Sequence, residues 1–224
     1  MTTKIGRLLT AMVTPFNERG DVDFLQAGQL AQALIASGSD GVVVAGTTGE
    51  SPTLSADEKL ELFRVTKNSI GDEGVVIAGV GNYSTKESVE LARSAETTGV
   101  DGVMAVVPYY NKPPQEGLFQ HFKAIAASTH LPVILYNVPS RTSLNMTHET
   151  TIRLSAIDNI IGVKEAGSDL DQIARILDKA PDGFEVWSGN DNETLPIMTM
   201  GGFGIVSVAA HLVAGYADIR PLKT

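Results

Sequence analysis

A lysine stands at the end of an apolar run in the segment NIIGVKEAGSD, residues 159–169. The run at 160–163 is typical of a strand buried on both faces, and Lys164 follows it with no turn signal between them. An amine in a partly apolar pocket has a lowered pKa, and its neutral form can attack a carbonyl carbon to give a Schiff base. The other interpretation is a strand-end lysine that extends to water or pairs with Glu165.

Schiff-base chemistry needs a proton donor and acceptor beside the amine, because forming and dehydrating the carbinolamine each move a proton. Tyr136 closes an earlier apolar run, residues 132–136, and is the candidate for that role. A tyrosine buried in an ordinary core would give the same pattern. The assignment therefore depends on whether the two runs end side by side.

Polar segments that follow other apolar runs hold groups suited to binding carboxylates. GTTGES, residues 46–51, offers backbone N–H groups and two hydroxyls in a Gly-flanked turn, although such turns are also ordinary connectors. Arg141 in NVPSRT is the only arginine in these segments, and it is either a carboxylate-binding group or a surface residue. The adjacent tyrosines of PYYNKPP, residues 108–114, fit a site or a contact between subunits equally well.

Eight short apolar runs carry these segments at their C-terminal ends. They are rich in β-branched residues and bounded by Gly or Pro, as strands buried on both faces are. The runs are residues 8–13, 41–45, 75–79, 102–107, 132–136, 160–163, 184–188 and 204–208.

Helical patterns lie between the runs. Ser55 followed by Glu58 is a capping-box signature, and another helix is predicted from Ser84 or Thr85 to a stop at Gly99. Strands that alternate with helices predict a parallel sheet with right-handed crossovers, and eight is the number that closes a barrel. A doubly wound open sheet is the alternative, but no Gly-x-Gly-x-x-Gly follows the first run. We predict an α/β chain with a (β/α)8 TIM-barrel fold, whose chemistry lies at the C-terminal ends of the strands.

The bulk composition excludes several classes of function. The chain has 224 residues and a formal net charge of −9, which disfavours a nucleic acid held through its phosphates. It has no cysteine, so disulfides, thiolate metal sites and cysteine catalysis are excluded. There is no signal-peptide pattern and no apolar segment of membrane-spanning length. We therefore predict a cytoplasmic protein.

Taken together, the motifs resemble those of the dihydrodipicolinate synthases, pyruvate-dependent lyases of the diaminopimelate and lysine pathway. GTTGES, PYYNKP followed by QEGL, LYNVPSRT and IIGVKEA stand in the order and spacing expected of that family, and the resemblance runs from about residue 5 to about residue 213. It implies a (β/α)8 barrel and the condensation of pyruvate with L-aspartate 4-semialdehyde. It also implies that no metal or organic cofactor is needed and that the protein is a homodimer or homotetramer.

The resemblance assigns roles to individual residues. Lys164 would form the Schiff base with pyruvate, and Tyr136 would donate and accept protons. Thr47 and Tyr110 would complete a hydroxyl relay, with Tyr110 reaching across a dimer interface into the neighbouring subunit's site. The substrate-binding residues would be Thr48 for the pyruvate carboxylate, Val206 through its backbone, Gly189, and Arg141 for the carboxylate of the semialdehyde.

Two other functions stay open at the level of sequence. N-acetylneuraminate lyases and sugar-acid aldolases share the barrel and the lysine, but the sialic-acid lyases usually have Ser-Thr in place of Thr47-Thr48 and lack the arginine of VPSRT. A catalytically silent barrel that acts only as a subunit or binding module is the second alternative. Trapping of pyruvate separates the silent barrel from the enzymes, and aldehyde preference separates the enzymes from each other.

The end of the chain departs from the family pattern. Family members continue past the eighth strand with an eighth helix and a helical C-terminal region, whereas this chain ends in AAHLVAGYADIRPLKT. We expect a barrel over residues 1–208 and a short atypical tail over 209–224, with the eighth helix and the C-terminal helices missing or truncated. Such a barrel is expected to be less stable than a longer relative and to self-associate, because apolar strand surface would lose its cover.

Overall fold

The structure is a computed structural model that describes residues 5–213. Within them, eight parallel strands form a closed barrel in which each strand pairs with the next and the last pairs with the first. The strands are β1 (Leu8–Ala11), β2 (Gly41–Val44), β3 (Val75–Gly79), β4 (Gly102–Val106), β5 (Val133–Asn137), β6 (Ile160–Glu165), β7 (Glu185–Ser188) and β8 (Gly204–Ser207). The predicted (β/α)8 barrel is confirmed, and the doubly wound alternative is wrong.

Helices occupy the connections between the strands. They are α1 (Phe24–Ala36), α2 (Ala56–Ile70), α3 (Thr85–Glu96), α4 (Gln115–Ala126), α5 (Pro139–Thr142), α6 (His148–Leu154), α7 (Leu170–Lys179), α8 (Thr194–Thr199) and α9 (Ala210–Val213). Short 3-10 turns cover Ser51–Thr53 and Asp191–Glu193. No helix within residues 5–213 has the length and apolar character needed to cross a membrane.

The helix starts follow the capping chemistry of the sequence. Ser55 Oγ accepts a hydrogen bond from the Glu58 N–H at 3.2 Å, and the Glu58 carboxylate accepts from the Ser55 N–H at 2.8 Å. This reciprocal pair satisfies two N–H groups that the first turn of α2 would otherwise leave without partners. Ser84 caps α3, and Gly99 lies beyond the end of that helix with a φ of 81°.

Side chains along the strands alternate between two cores. On β5, Ile134 and Tyr136 pack in the cluster inside the barrel, whereas Leu135 between them packs in the larger cluster shared with the helices. On β6, Val163 belongs to that outer cluster, so Lys164 after it is directed into the barrel. The period of two in the strands thus brings a tyrosine and a lysine to the same interior face.

The predicted boundary at residues 208 and 209 stays a prediction. Strand β8 ends at Ser207, and α9 is the last described element. Residues 214–224, which make up most of the predicted tail, lie outside the described residues.

Candidate active site

Lys164 and Tyr136 face each other on neighbouring strands. The register of β5 and β6 pairs the two residues, and each side chain is only 5% exposed. Lys164 Nζ lies 4.3 Å from the centroid of the Tyr136 ring. The prediction that the two runs end side by side is confirmed. The interpretation in which Lys164 extends to water or pairs with Glu165 is wrong, because the lysine is buried and Glu165 lies on the opposite face of the strand.

Burial changes the protonation of this lysine. Loss of hydration lowers the pKa of Lys164 to about 8, while the negative charge of Asp191 raises it and the positive charge of Arg141 lowers it. A pKa lowered in this way leaves a larger share of the amine neutral at pH 7 than in an ordinary lysine. The neutral amine is the form that attacks a carbonyl carbon.

Tyr136 keeps its phenolic proton beside the amine. Burial raises the pKa of Tyr136, whereas a hydrogen bond with the side chain of Thr47 and the charge of Arg141 lower it. Thr47 belongs to the turn that follows β2. A phenol held by a second hydroxyl can donate a proton to a forming carbinolamine oxygen and accept one back. The structure therefore brings together three of the four residues predicted to be catalytic.

A cavity of about 220 Å³ opens at the C-terminal ends of the strands, where (β/α)8 barrels have their active sites. Thr47, Tyr136 and Arg141 line it, together with Tyr109. Lys164 is not among the described residues that line the cavity. Its amine lies against the ring of Tyr136, however, and Tyr136 does line the cavity. The cavity suits a small keto acid that reaches the lysine alongside the tyrosine.

Arg141 lies at the rim of this cavity. It belongs to α5, which begins with Pro139 directly after β5, since proline is well suited to the first turn of a helix. The arginine is exposed, as the surface interpretation expected, yet it also lines the cavity. A guanidinium in this place can hold a carboxylate through two parallel hydrogen bonds.

Gly189 lies against the lysine. It follows β7, and its N–H donates to the Glu165 carbonyl oxygen at 2.7 Å. A Cβ at this position would lie 3.1 Å from Lys164 Cε and 2.6 Å from Ala166 Cβ. Glycine thus lets the end of β7 pack against Ala166 and close to the lysine side chain, which gives the predicted substrate-binding residue a steric role.

The other two predicted substrate-binding residues, like Gly189, are not among the described residues that line the cavity. Val206 on β8 is fully buried inside the barrel, with its backbone in register with Leu9. Thr48 is next to Thr47 in the turn and is partly buried.

Tyr110 is not brought into the site of its own chain. Its side chain is 90% exposed, and its backbone has a left-handed φ of 63°. The preceding residue, Tyr109, lines the cavity and packs edge-on against Tyr83 with ring centroids 5.3 Å apart. A role for Tyr110 in the site of a neighbouring subunit stays a prediction.

Asp191 is a charged neighbour of Lys164 to which sequence reasoning assigned no role. Its carboxylate accepts hydrogen bonds from Ser207 Oγ and from the N–H groups of Val208 and Ala209, the latter two at 3.1 and 3.2 Å. Its charge favours the ammonium form of Lys164. The sequence did contain a signal for Asp191, because this residue lies in the segment GND, directly after the seventh apolar run. The active-site residues of (β/α)8 barrels lie at these C-terminal strand ends.

Comparison with known proteins gives a consistent result. The sequence model of the dihydrodipicolinate synthetase family matches residues 4–219. The chain is 61% identical over 210 residues to the 4-hydroxy-tetrahydrodipicolinate synthase of Moorella thermoacetica, covering 94% of this chain and 72% of that one. It is 54% identical over 215 residues to the enzyme of the same name from Desulforudis audaxviator, covering 96% of this chain and 73% of that one.

Solved structures agree with the sequence relatives. Dihydrodipicolinate synthase DapA-2 from Bacillus anthracis superposes with a TM-score of 0.93 at 48% identity, covering 95% of this chain and 73% of that one. A second structure, DHDPS from Cyanidioschyzon merolae with lysine bound, has a TM-score of 0.93 at 46% identity and covers 96% of this chain and 76% of that one.

Proposed function

This chain belongs to the dihydrodipicolinate synthetase family, and from that premise we propose that it is a 4-hydroxy-tetrahydrodipicolinate synthase. Such an enzyme is a Schiff-base-forming lyase that condenses pyruvate with L-aspartate 4-semialdehyde in diaminopimelate and lysine biosynthesis. The observation that carries the proposal is the buried amine of Lys164, with a pKa of about 8, lying 4.3 Å from the ring centroid of Tyr136.

The reaction begins with attack of the Lys164 lone pair on the keto carbon of pyruvate. The attack leaves a positive charge on Nζ and a negative charge on the carbonyl oxygen; Tyr136 donates a proton to the oxygen and the phenolate takes one from the nitrogen, and the product is a neutral carbinolamine. A second proton to the same oxygen releases water and leaves an imine between Nζ and the former keto carbon. Thr47, hydrogen-bonded to Tyr136, completes the hydroxyl relay through which these protons move.

The imine then acts as an electron sink. The methyl group of the bound pyruvate loses a proton to the Tyr136 phenolate left by the dehydration, which gives an enamine, and the enamine carbon adds to the aldehyde carbon of the semialdehyde. The aldehyde oxygen takes that proton from the phenol and becomes a hydroxyl. Arg141, at the rim of the cavity, holds the carboxylate of this second substrate and so orients the aldehyde toward the enamine.

Cyclisation releases the product. The amino group that came from the semialdehyde attacks the imine carbon, and the bond from that carbon to Lys164 Nζ breaks. The lysine regains its proton and the cyclic product leaves. The overall balance is one pyruvate and one semialdehyde converted into one hydroxylated ring compound and one water.

The remaining predicted residues complete the site in this proposal. Thr48, Val206 and Gly189 bind the pyruvate carboxylate and the groups beside it. Tyr110 joins the hydroxyl relay from a second copy of the chain, which is consistent with its 90% exposure in the single chain. The protein accordingly acts as a homodimer or homotetramer, in the cytoplasm, and needs neither a metal nor an organic cofactor.

A turnover assay tests this function. Purified protein should consume pyruvate and L-aspartate 4-semialdehyde together, and should use N-acetylmannosamine in place of the semialdehyde far less well. Lys164→Ala should abolish turnover, whereas Lys123→Ala, which removes an exposed lysine on α4, should leave it unchanged. A preference for N-acetylmannosamine would assign the chain to the sialic-acid branch instead, and turnover that survives Lys164→Ala would remove the lysine from the mechanism.

A further inference from the structure

A polar cluster, buried except for the exposed Asn145, lies on the outer face of β5 and β6, directly beyond the reacting pair. It consists of four side chains that we call the outer clamp: Asn137, Asn145, Glu165 and Gln172. Asn137 follows Tyr136 in the chain and Glu165 follows Lys164, so both are in register across the two strands. The proposed mechanism uses none of these four side chains.

One bond of the clamp bridges the two strands. Asn137 Nδ2 donates to Glu165 Oε1 at 2.9 Å, and the Gly167 N–H donates to the same oxygen at 2.9 Å. Gln172 Nε2, on α7, lies 3.3 Å from Glu165 Oε2. The carboxylate is thus held from its own strand end, from β5 and from the helix behind it.

The other bonds anchor the Asn137 end. Asn137 Nδ2 donates to Asn145 Oδ1 at 2.8 Å, and Asn137 Oδ1 accepts from the Met146 N–H at 3.0 Å. Asn145 Nδ2 in turn donates to Gln172 Oε1 at 2.8 Å. Each amide therefore has partners that fix which way it faces, which gives the cluster a single arrangement.

Simple packing does not require this cluster. Burial raises the pKa of Glu165 to about 7, against hydrogen bonds that lower it, so keeping a carboxyl group here costs free energy. One residue pair earlier on the same face, Leu135 is in register with Val163, and both are fully buried apolar residues. The fold thus already has an apolar way to join these strands to the helices.

The pairing of β5 and β6 is irregular at one end, and the clamp lies at the other end. The register of β5 and β6 shifts between Val133 and Ile134, which is an irregularity at the start of the pair. Such an irregularity bends a strand and changes its local twist. The side-chain bridge at the far end adds a second tie between the two strands, at the residues next to Tyr136 and Lys164.

We propose that Asn137 and Glu165 are positioning residues, whose bridge on the outer face sets the separation of Tyr136 and Lys164 on the inner face. This inference rests on the proposed function, because it concerns the proton transfers between that tyrosine and the substrate bound to that lysine. Displacement of reacting groups by about 1 Å can slow a reaction about a hundredfold. The clamp is therefore expected to act on turnover at each active site, in addition to any effect on stability.

Three variants test the bridge. Asn137→Asp places two carboxyl groups against each other and removes the donor, and Glu165→Gln is nearly isosteric but replaces one acceptor oxygen by a donor. The double variant N137D/E165Q reverses the polarity of the bridge, since a glutamine N–H can donate to an aspartate oxygen. Asn159→Asp is the matched control, because Asn159 Nδ2 donates to the carbonyl oxygens of Ala126 and Thr129 at the other end of β6.

The measured quantity is kcat for each active site that borohydride and pyruvate can label, beside the melting temperature. Counting labelled sites removes the contribution of unfolded protein. N137D should lower the per-site kcat by about tenfold to a hundredfold, E165Q should lower it less, and the double variant should recover most of the loss. N159D should lower the melting temperature and leave the per-site kcat unchanged.

Two results would overturn the inference. If both single variants have the same per-site kcat as the wild type, the clamp contributes to stability only and does not position the reacting residues. A double variant no better than N137D would show that the bridge itself is not what matters. If the wild-type protein is not labelled by pyruvate at all, the proposed function fails instead, so the two failures are distinguishable.

Discussion

Lys164 is the residue whose chemistry depends most on its surroundings. The side chain enters the barrel from the last part of β6, and with 5% of it exposed the ammonium form loses most of its hydration. Two charges of opposite sign then shift the pKa of the amine: the charge of Asp191 raises it and the charge of Arg141 lowers it. A lysine so placed has more of its neutral, nucleophilic form near neutral pH than an exposed lysine has.

The lowered pKa predicts how imine formation depends on pH. The folded pKa of Lys164 is about 8, below the ordinary 10.5, so the neutral amine accumulates as the pH rises through 8. The rate of imine formation with pyruvate should rise with pH and level off above that midpoint. Borohydride quenching at a series of pH values measures it, and a midpoint near 10.5 would contradict the burial argument.

Removing one charge provides the control for that profile. Asp191→Asn should move the midpoint to lower pH, because the negative charge that favours the ammonium form is gone. Asp182→Asn makes the same change at an exposed position just before β7, at the opposite end of the barrel, and should not move the midpoint. Equal midpoints in the two variants would mean that Asp191 does not act on Lys164.

At the scale of elements, the ends of β5, β6 and β7 hold Tyr136, Lys164 and Gly189 against one another. The backbone hydrogen bonds between these strands continue past Tyr136 and Lys164. The Ala166 N–H donates to the Asn137 carbonyl oxygen at 2.9 Å, and the Gly189 N–H donates to the Glu165 carbonyl oxygen at 2.7 Å. Tyr136 and Lys164 occupy inward positions on β5 and β6, and the clamp residues Asn137 and Glu165 occupy the outward positions that follow them. Strand spacing and side-chain chemistry are therefore coupled at these three ends.

The glycine after β7 offers a test of that coupling. Gly189→Ala adds a Cβ at 2.6 Å from Ala166 Cβ and 3.1 Å from Lys164 Cε, so β7 and the lysine must move apart. Overpacking of this kind costs about 1–3 kcal/mol of stability, and kcat should fall about tenfold or more because the amine is displaced. Adding Ala166→Gly removes the nearest obstacle and should recover part of the activity. Unchanged kcat in Gly189→Ala would show that the loop adapts without moving Lys164.

Local chemistry explains why much of this arrangement was predictable. The places of Tyr136 and Lys164 near the ends of their strands and the capping box of Ser55 follow from neighbours in the chain, and each was predicted. The bridge from Asn137 to Glu165 joins residues 28 positions apart on the outer face, and no local pattern marks it. Tyr109, which lines the cavity, could not be told apart from Tyr110 by sequence, because only the conformation of the loop separates them.

At the scale of the whole molecule, closure of the barrel brings together residues from distant parts of the chain. Strand β1 pairs with β8, and Trp187 Nε1 donates to the Gly6 carbonyl oxygen at 3.0 Å, which ties β7 to the segment before β1. The Trp187 ring is fully buried inside the barrel and packs edge-on against Phe203. The barrel has no open edge within residues 5–213, so the site depends on all eight strands.

Closure predicts cooperative unfolding. Trp187 is the only tryptophan in the chain, so its fluorescence reports on the barrel interior. Because the strands form one closed sheet, loss of that fluorescence signal and loss of helical circular dichroism should coincide in a denaturant titration. Two separated transitions would show that part of the barrel unfolds independently.

The most direct measurement is the identity of the residue that pyruvate modifies. Folded protein is treated with pyruvate and borohydride, digested, and analysed by mass spectrometry for the peptide that carries the reduced adduct. We expect a single adduct on Lys164, little labelling of Lys164 in protein denatured beforehand, and no adduct in Lys164→Ala. Labelling of a different lysine in the folded protein, or of none, would contradict the central claim that this buried amine is the nucleophile.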